Sequence, residues 1–149
     1  HGVPQVVVPG CAAFFVAGPR ASVPPQWRAR PQYHHNPVFT LIRASREEMA
    51  AVGRIMAAKL GASRGPVAVA VPLGGLSIPN TPGGVFHDPE ADAAFLAALR
   101  GDLRRDIPVG EVPAHINAPR FAETVLDLFL RLVPAPAAGG RVVAEPRDA

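Results

Sequence analysis

The stretch that most constrains the fold is Val67–Asp92, VAVAVPLGGLSIPNTPGGVFHDPEAD. It opens as the uninterrupted apolar run Val67–Val71, breaks into a loop rich in Gly, Pro, Ser, Asn and Thr, and re-enters regular structure through Asp88-Pro89-Glu90. A short apolar run without alternation suits a strand buried on both faces, as in a parallel sheet covered by helices. A strand that stops at glycines and restarts as a helix is how α/β proteins turn backbone N–H groups toward a ligand. Glycines also simply turn chains, so Gly74-Gly75 and Gly83-Gly84 fit a plain connection equally well.

Around this stretch the pattern alternates. Gln5–Val8 reads as a buried strand stopped by Pro9-Gly10, and Val109–Val112 as a third strand interrupted by Gly110. The three are expected to be parallel neighbours in one sheet. Ser45-Arg46-Glu47-Glu48 is a capping box, followed at helical spacing by Met49, Val52, Met56 and Leu60 and closed by Gly61; the two methionines read as core filler. Asp88 is an N-cap with Pro89 at the first helical position, and Phe95, Leu96, Leu99 and Leu103 form the buried face. Glu90 and Asp92 complement the positive end of that helix. Pro119 opens a last helix to about Val133, with Leu126, Leu128, Phe129, Leu130 and Leu132 spread round most of its circumference. Such a helix is expected to be buried or paired with another surface. The order predicts a Rossmann-like open parallel α/β sheet with flanking helices and right-handed crossovers.

The segment from Pro9 to Pro37 holds six prolines and is expected to be a long irregular loop, ordered by Phe14, Phe15, Trp27 and Tyr33. Within it Phe14-Phe15-Val16 reads as the start of a short helix, and Val38–Ile42 as a brief extended piece after it. Three strands make a small sheet, and the chain opens HGVPQVVVPG without a Met. Residues 1–133 are therefore expected to be the C-terminal part of a larger α/β domain, with 134–149 as a disordered tail.

Hydrophobic residues make up 48% of the 149 positions, which suits one buried domain. No apolar run approaches the roughly 18–20 residues of a membrane span, and no signal-peptide pattern is visible. The single cysteine, Cys11, excludes an intrachain disulfide framework and points to a reducing cytoplasm; it reads as a small buried hydrophobe. The net charge is +3, but the arginines are scattered and Lys59 is the only lysine, so no nucleic-acid surface is indicated.

The phosphate motifs are missing as well. There is no Gly-Lys-Ser/Thr loop and no G-x-G-x-x-G, so a self-contained nucleotide site is not expected. Gly74-Gly75-Leu76-Ser77 resembles half of a nucleophile elbow, but Pro79 stands where the second glycine belongs. Ser77 is better read as a hydroxyl donor to a ligand or as a loop cap. The histidines have no helical i,i+4 spacing, so no metal site is indicated. What the remaining polar residues share is position, because loops at the carboxyl ends of parallel strands converge on one crevice. The candidate ligand-binding residues are His35, Asn36, Gly74, Gly75, Ser77, His115 and Asn117. They suit a small anionic or polyhydroxylated molecule, with backbone N–H groups of the glycines and a histidine as hydrogen-bonding partners.

VPQVVVPG, YHHNPVFTLIR, GPVAVAVPLGGLS, GGVFHDPEAD and HINAPRFA, in this order from about Val3 to Leu132, resemble a family. It is that of bacterial, fungal and plant proteins similar to the tomato mosaic virus resistance protein, described as carrying an ATP-binding domain. The resemblance covers the later part of the second of two α/β domains. It implies a cytoplasmic two-domain protein, self-association, and ATP bound somewhere in the full protein, outside this chain. It supplies no reaction. Two departures stand out: an Asp and an Asn of the family pattern after the first strand are Ala13 and Ala17 here, and the family's H-I-N-D-P is His115-Ile116-Asn117-Ala118-Pro119. The second removes a helix cap worth about 1 kcal/mol. Two functions therefore compete: a small-molecule site at the strand ends, or a structural and dimerising half whose chemistry lies elsewhere.

Overall fold

The computed structural model describes residues 2–133. The segment 134–149, expected to be a tail, lies outside the described residues. Three strands form the parallel sheet expected: β1 (Gln5–Val7), β5 (Val67–Pro72) and β6 (Val109–Val112), in the order β1-β5-β6. Gln5 is in register with Val67, and Val69 with Val109. All six residues of β5 are buried, as its unbroken apolar sequence requires.

The side chains of β5 alternate between two layers. Val67, Val69 and Val71 pack against α1 (Arg46–Gly61) and α2 (Pro89–Asp102), among Met49, Ala57, Leu60, Phe95 and Leu99. Ala70 faces the other way, with Val112 and Phe121, beneath α3 (Pro119–Leu132). Small residues let α3 sit close: a Cβ on Gly110 would stand 3.0 Å from Leu128 Cδ1. The two helices of the other layer also touch through a glycine, since a Cβ on Gly53 would stand 2.5 Å from the Phe95 carbonyl oxygen. The methionine reading holds, with Met49 fully buried and Met56 packed against the same cluster.

The segment after β1 departs from expectation. In place of one long irregular loop, β2 (Phe14–Ala17), β3 (Gln32–His34) and β4 (Thr40–Arg43) make a second, antiparallel sheet in the order β2-β4-β3. Phe14-Phe15-Val16 is strand rather than helix, pairing Phe14 with Arg43 and Val16 with Leu41. Its aromatic and β-branched residues suit a pleated surface once a partner strand is present, and β4, buried at all four positions, is that partner. Cys11 is not buried either: it is exposed and adopts φ 58°. Gly61 is the last residue of α1 and Ala62 takes the cap position. The last helix is not enclosed: Phe121 is buried, while Leu126 (56%), Phe129 (40%) and Leu130 (61%) are exposed. Ala118 stands at the N-cap of α3, where no side-chain hydrogen bond is made.

The capping box of α1 is complete and has a further partner. Ser45 Oγ accepts from Glu48 N–H, the Glu48 carboxylate accepts from Ser45 N–H at 2.7 Å, and Arg30 grips that carboxylate at 2.6 and 3.2 Å. The Arg30 hydrogen bond holds the Glu48 carboxyl below its ordinary range. A carboxylate with a folded-state pKa lower than in the unfolded chain stabilises the fold above the unfolded value, and that stability is lost as pH falls through the folded one. Thermal unfolding followed from about pH 6 down to about pH 3 should show this loss, and Glu48→Gln should flatten that part of the profile.

Candidate functional site

The loop between β5 and α2 is organised by one side chain. Asn80, buried, accepts from Leu76 N–H through Oδ1 at 2.8 Å and donates through Nδ2 to the Phe86 carbonyl at 3.0 Å and to Asp92 Oδ2 at 2.9 Å. The other oxygen of Asp92 meets Arg43 Nη2 at 2.6 Å. Arg43 is only 3% exposed, and it also donates to the carbonyls of Ala13 at 2.9 Å and Asp88 at 3.2 Å. An ion pair so placed ties β4 of the antiparallel sheet to α2, and through Asn80 to the glycine loop.

The glycines serve close packing. Gly74 N–H donates to the Ala114 carbonyl at 2.9 Å, and Ile116 N–H donates to the Gly75 carbonyl at 3.1 Å. A Cβ on Gly74 would lie 2.6 Å from the carbonyl carbon of Ala114, and one on Gly75, at φ 132°, would collide with the Asn80 carbonyl. The β6–α3 loop thus lies directly on the glycine loop. His115 straps them together: its Nδ1 accepts from Asn117 N–H at 3.1 Å and its Nε2 lies 3.1 Å from the Ser77 carbonyl. That pattern assigns the proton to Nε2, with Nδ1 as acceptor.

Two cavities flank the loop and divide the candidate residues between them. One, of about 220 Å³, takes Gly74 and Gly75 with His87, Asp92 and Leu96. The other, of about 310 Å³, brings His35, Ser77 and Asn117 together with Cys11, Tyr33 and Ile116. Asn36 and His115 line neither cavity. Asn36 Oδ1 accepts from the N–H groups of Val38 (2.9 Å) and Phe39 (2.8 Å), closing the β3–β4 turn, and His115 is occupied as the strap. Within the larger cavity Ser77 is only 6% exposed, and its buried Oγ has no hydrogen-bond partner.

Sequence reasoning missed Cys11 and Tyr33 as cavity residues, and the Arg43–Asp92–Asn80 joint altogether. The position of Cys11 straight after Pro9-Gly10 at a strand end was the available signal for the first. Nothing local marks the joint, whose members lie 49 and 12 residues apart.

A triphosphate does not fit the glycine loop. The N–H groups of Gly74 and Leu76 already have acceptors. The start of α2 is capped by Asp88, which accepts from Ala91 N–H at 3.0 Å, and carries Glu90 and Asp92. Negative charge there opposes a phosphate. Among the described residues no group of three or more His, Cys, Asp and Glu could hold a metal ion, and no helix is long and apolar enough to cross a membrane.

Fold and loops together define a Rossmann-like α/β domain whose strand-end loops border small cavities. Residues 1–133 match the family described as "Uncharacterised protein family (UPF0261) C-terminal domain", and the chain belongs to that family. A UPF0261 protein of Brucella suis biovar 1 is 41% identical over 132 residues, covering 89% of this chain and 32% of the relative. One from Clostridium tetani is 34% identical over 133 residues, covering 89% and 33%. The ToMV resistance protein Tm-1(GCR237) of Solanum lycopersicum is 31% identical over 134 residues, covering 89% of this chain and 18% of that protein. The chain thus spans about a third of the length of these bacterial relatives.

Asp92 is the member of the joint whose loss should be felt most. Asp92→Ala leaves a buried guanidinium without its counter-charge and frees Asn80, and should cost about 3 kcal/mol, the low end for a broken buried pair because Asp92 is partly exposed. Urea unfolding of the variant against the parent protein measures it.

Proposed function

We propose that this chain is the small-molecule-binding part of a longer, two-domain cytoplasmic protein, and that the ligand occupies the cavity between Ser77, His35 and Asn117. The observation that carries this reading is a cavity of about 310 Å³ on which separate loops converge, with Ser77, His35 and Asn117 in its lining. Four separate segments contribute to the cavity: the loop after β1, the β3–β4 hairpin, the glycine loop and the β6–α3 loop. Convergence of strand-end loops is where open α/β sheets hold ligands.

The lining favours a molecule with an apolar body and one polar or anionic end. Phe14, Tyr33, Leu76, Ile78 and Ile116 supply apolar surface, and Ser77, His35 and Asn117 supply hydrogen bonds. His35, exposed on the hairpin with its ring 6.4 Å from that of Tyr33, serves as a hydrogen-bonding partner. The ATP that the family resemblance implies belongs outside this chain, in keeping with the occupied N–H groups and acidic helix start at the glycine loop. A thermal-shift screen of small carboxylates, aromatic carbonyl compounds and nucleotides on the intact polypeptide tests the reading. A compound that raises the melting temperature should lose about fivefold or more in affinity with Ser77→Ala. His115→Ala should lower stability without ligand as well. Unchanged affinity in Ser77→Ala and in a His35→Ala companion would place the ligand site outside this chain.

A structural reading has its own support in the outer face of α3. Leu126, Phe129 and Leu130 form an exposed apolar stripe on a helix whose opposite face carries Phe121 into the core. Apolar stripes of this kind are normally covered by another protein surface. We infer that the stripe meets a second copy of the chain, so Leu126→Glu with Leu130→Glu should shift sedimentation toward monomer. A parent protein that already sediments as a monomer at micromolar concentration would exclude it.

A further inference from the structure

We infer that α3 pairs with α3 of a second copy of the chain in antiparallel orientation, about a two-fold axis that passes between Leu126 and Phe129. This rests on the reading of the exposed stripe as a contact between copies, and it fixes which residues face each other there. The first observation is spacing. Ala122, Leu126, Phe129 and Val133 follow one another at intervals of four, three and four residues, and all four are exposed. Alternating steps of four and three make the seam along which one helix lies against another. This seam is separate from the inward face, where Phe121, Val125 and Leu128 pack with Ala70 and Val112 of the sheet.

The second observation is charge, and it sets the orientation. Glu123, Asp127 and Arg131 recur every four residues along one edge of the seam. Asp127 and Arg131 are exposed, as is Glu123, and among the described residues none of the three makes an ion pair. Beyond the other edge Val125 turns into the core, and no charged residue of α3 lies there. Two such helices laid face to face bring their charged edges to the same side only when they run antiparallel. A parallel pair puts those edges on opposite sides, each facing uncharged surface.

With the axis between Leu126 and Phe129, Ala122 faces Val133 of the second copy and Leu126 faces Phe129. Arg131 then stands beside the turn between Glu123 and Asp127 of the other helix. Each contact occurs twice, because a two-fold interface is isologous. Opposite charges on adjoining edges select the orientation of paired helices. Arg120, in the first turn, falls beyond the end of the facing helix and takes no part. α3 begins directly after the loop whose Ile116 and Asn117 line the larger cavity. An antiparallel pair therefore sends the two cavities toward opposite ends of the assembly.

Disulfide trapping in the intact polypeptide tests the arrangement, in a Cys11→Ser background that also serves as the uncrosslinked control. Ala122→Cys and Val133→Cys proteins are oxidised separately and as an equimolar mixture, and covalent dimer is read on a non-reducing gel. Only the mixture brings two thiols within bonding reach, so it should yield at least about fivefold more covalent dimer than either protein alone. Arg131→Glu should raise the dissociation constant measured by sedimentation about tenfold, and adding Glu123→Arg to it should recover most of the loss. Efficient crosslinking of each protein alone would overturn the antiparallel orientation and keep the contact between copies. No crosslink in any sample, from a parent that sediments as a dimer, would move the contact off this seam. A parent that sediments as a monomer removes the reading of the stripe and the orientation together.

Discussion

The structure depends most on one buried cation. Arg43 ends the central strand of the antiparallel sheet, and its guanidinium is buried among acceptors from two other parts of the chain, the turn after β1 and the start of α2. A charge in that position persists only when it is answered, since an unpaired buried ion costs several kcal/mol. Asp92 answers it with one oxygen and spends the other on Asn80, which in turn sets the path of the glycine loop. The antiparallel sheet, α2 and the glycine loop after β5 therefore share a single electrostatic joint. Arg43 Nε is buried there without a partner, so the joint is held by the terminal nitrogens alone.

What could be read from the sequence was what is encoded locally. The central parallel strand β5 announces itself as an apolar run, and the first two helices by Ser45, Asp88 and their spacing, so these were legible residue by residue. The antiparallel sheet was not. Its strands are three or four residues long, prolines separate them, and Phe14 finds its partner at Arg43, twenty-nine positions on by the register of the pair. Arg43 looked like one more scattered arginine because its meaning lies in residues far along the chain. The covering of α3 was legible only in part for a related reason: composition marks a helix as apolar but does not say which neighbours are present to cover it.

For the candidate site, topology was a better guide than motif. The rule that strand-end loops converge brought His35, Ser77 and Asn117 to one cavity, and the glycines to the one beside it. The glycines, readable as a ligand loop or as a plain connection, take part in close packing. The Gly74 N–H and the space of its missing side chain are taken up by the β6–α3 loop, and a Gly75 Cβ would meet Asn80 and His115, so a Gly-Gly pair after a strand can be a packing surface as readily as an anion nest. His115 shows the same substitution of roles, with both ring nitrogens engaged by neighbouring backbone.

The left-handed backbone at Cys11 also restricts what evolution can place there. At φ 58° glycine would be free of strain and asparagine or aspartate nearly so, whereas any other side chain gives up about 1 kcal/mol. Valine, isoleucine and threonine are excluded more strongly, because their branched Cβ crowds the following carbonyl. The accessible alternatives thus form a short alphabet of small, polar or absent side chains. A lineage drifting at this position would move among those few residues, and each move away from cysteine would leave the turn intact while exchanging the group presented to the cavity.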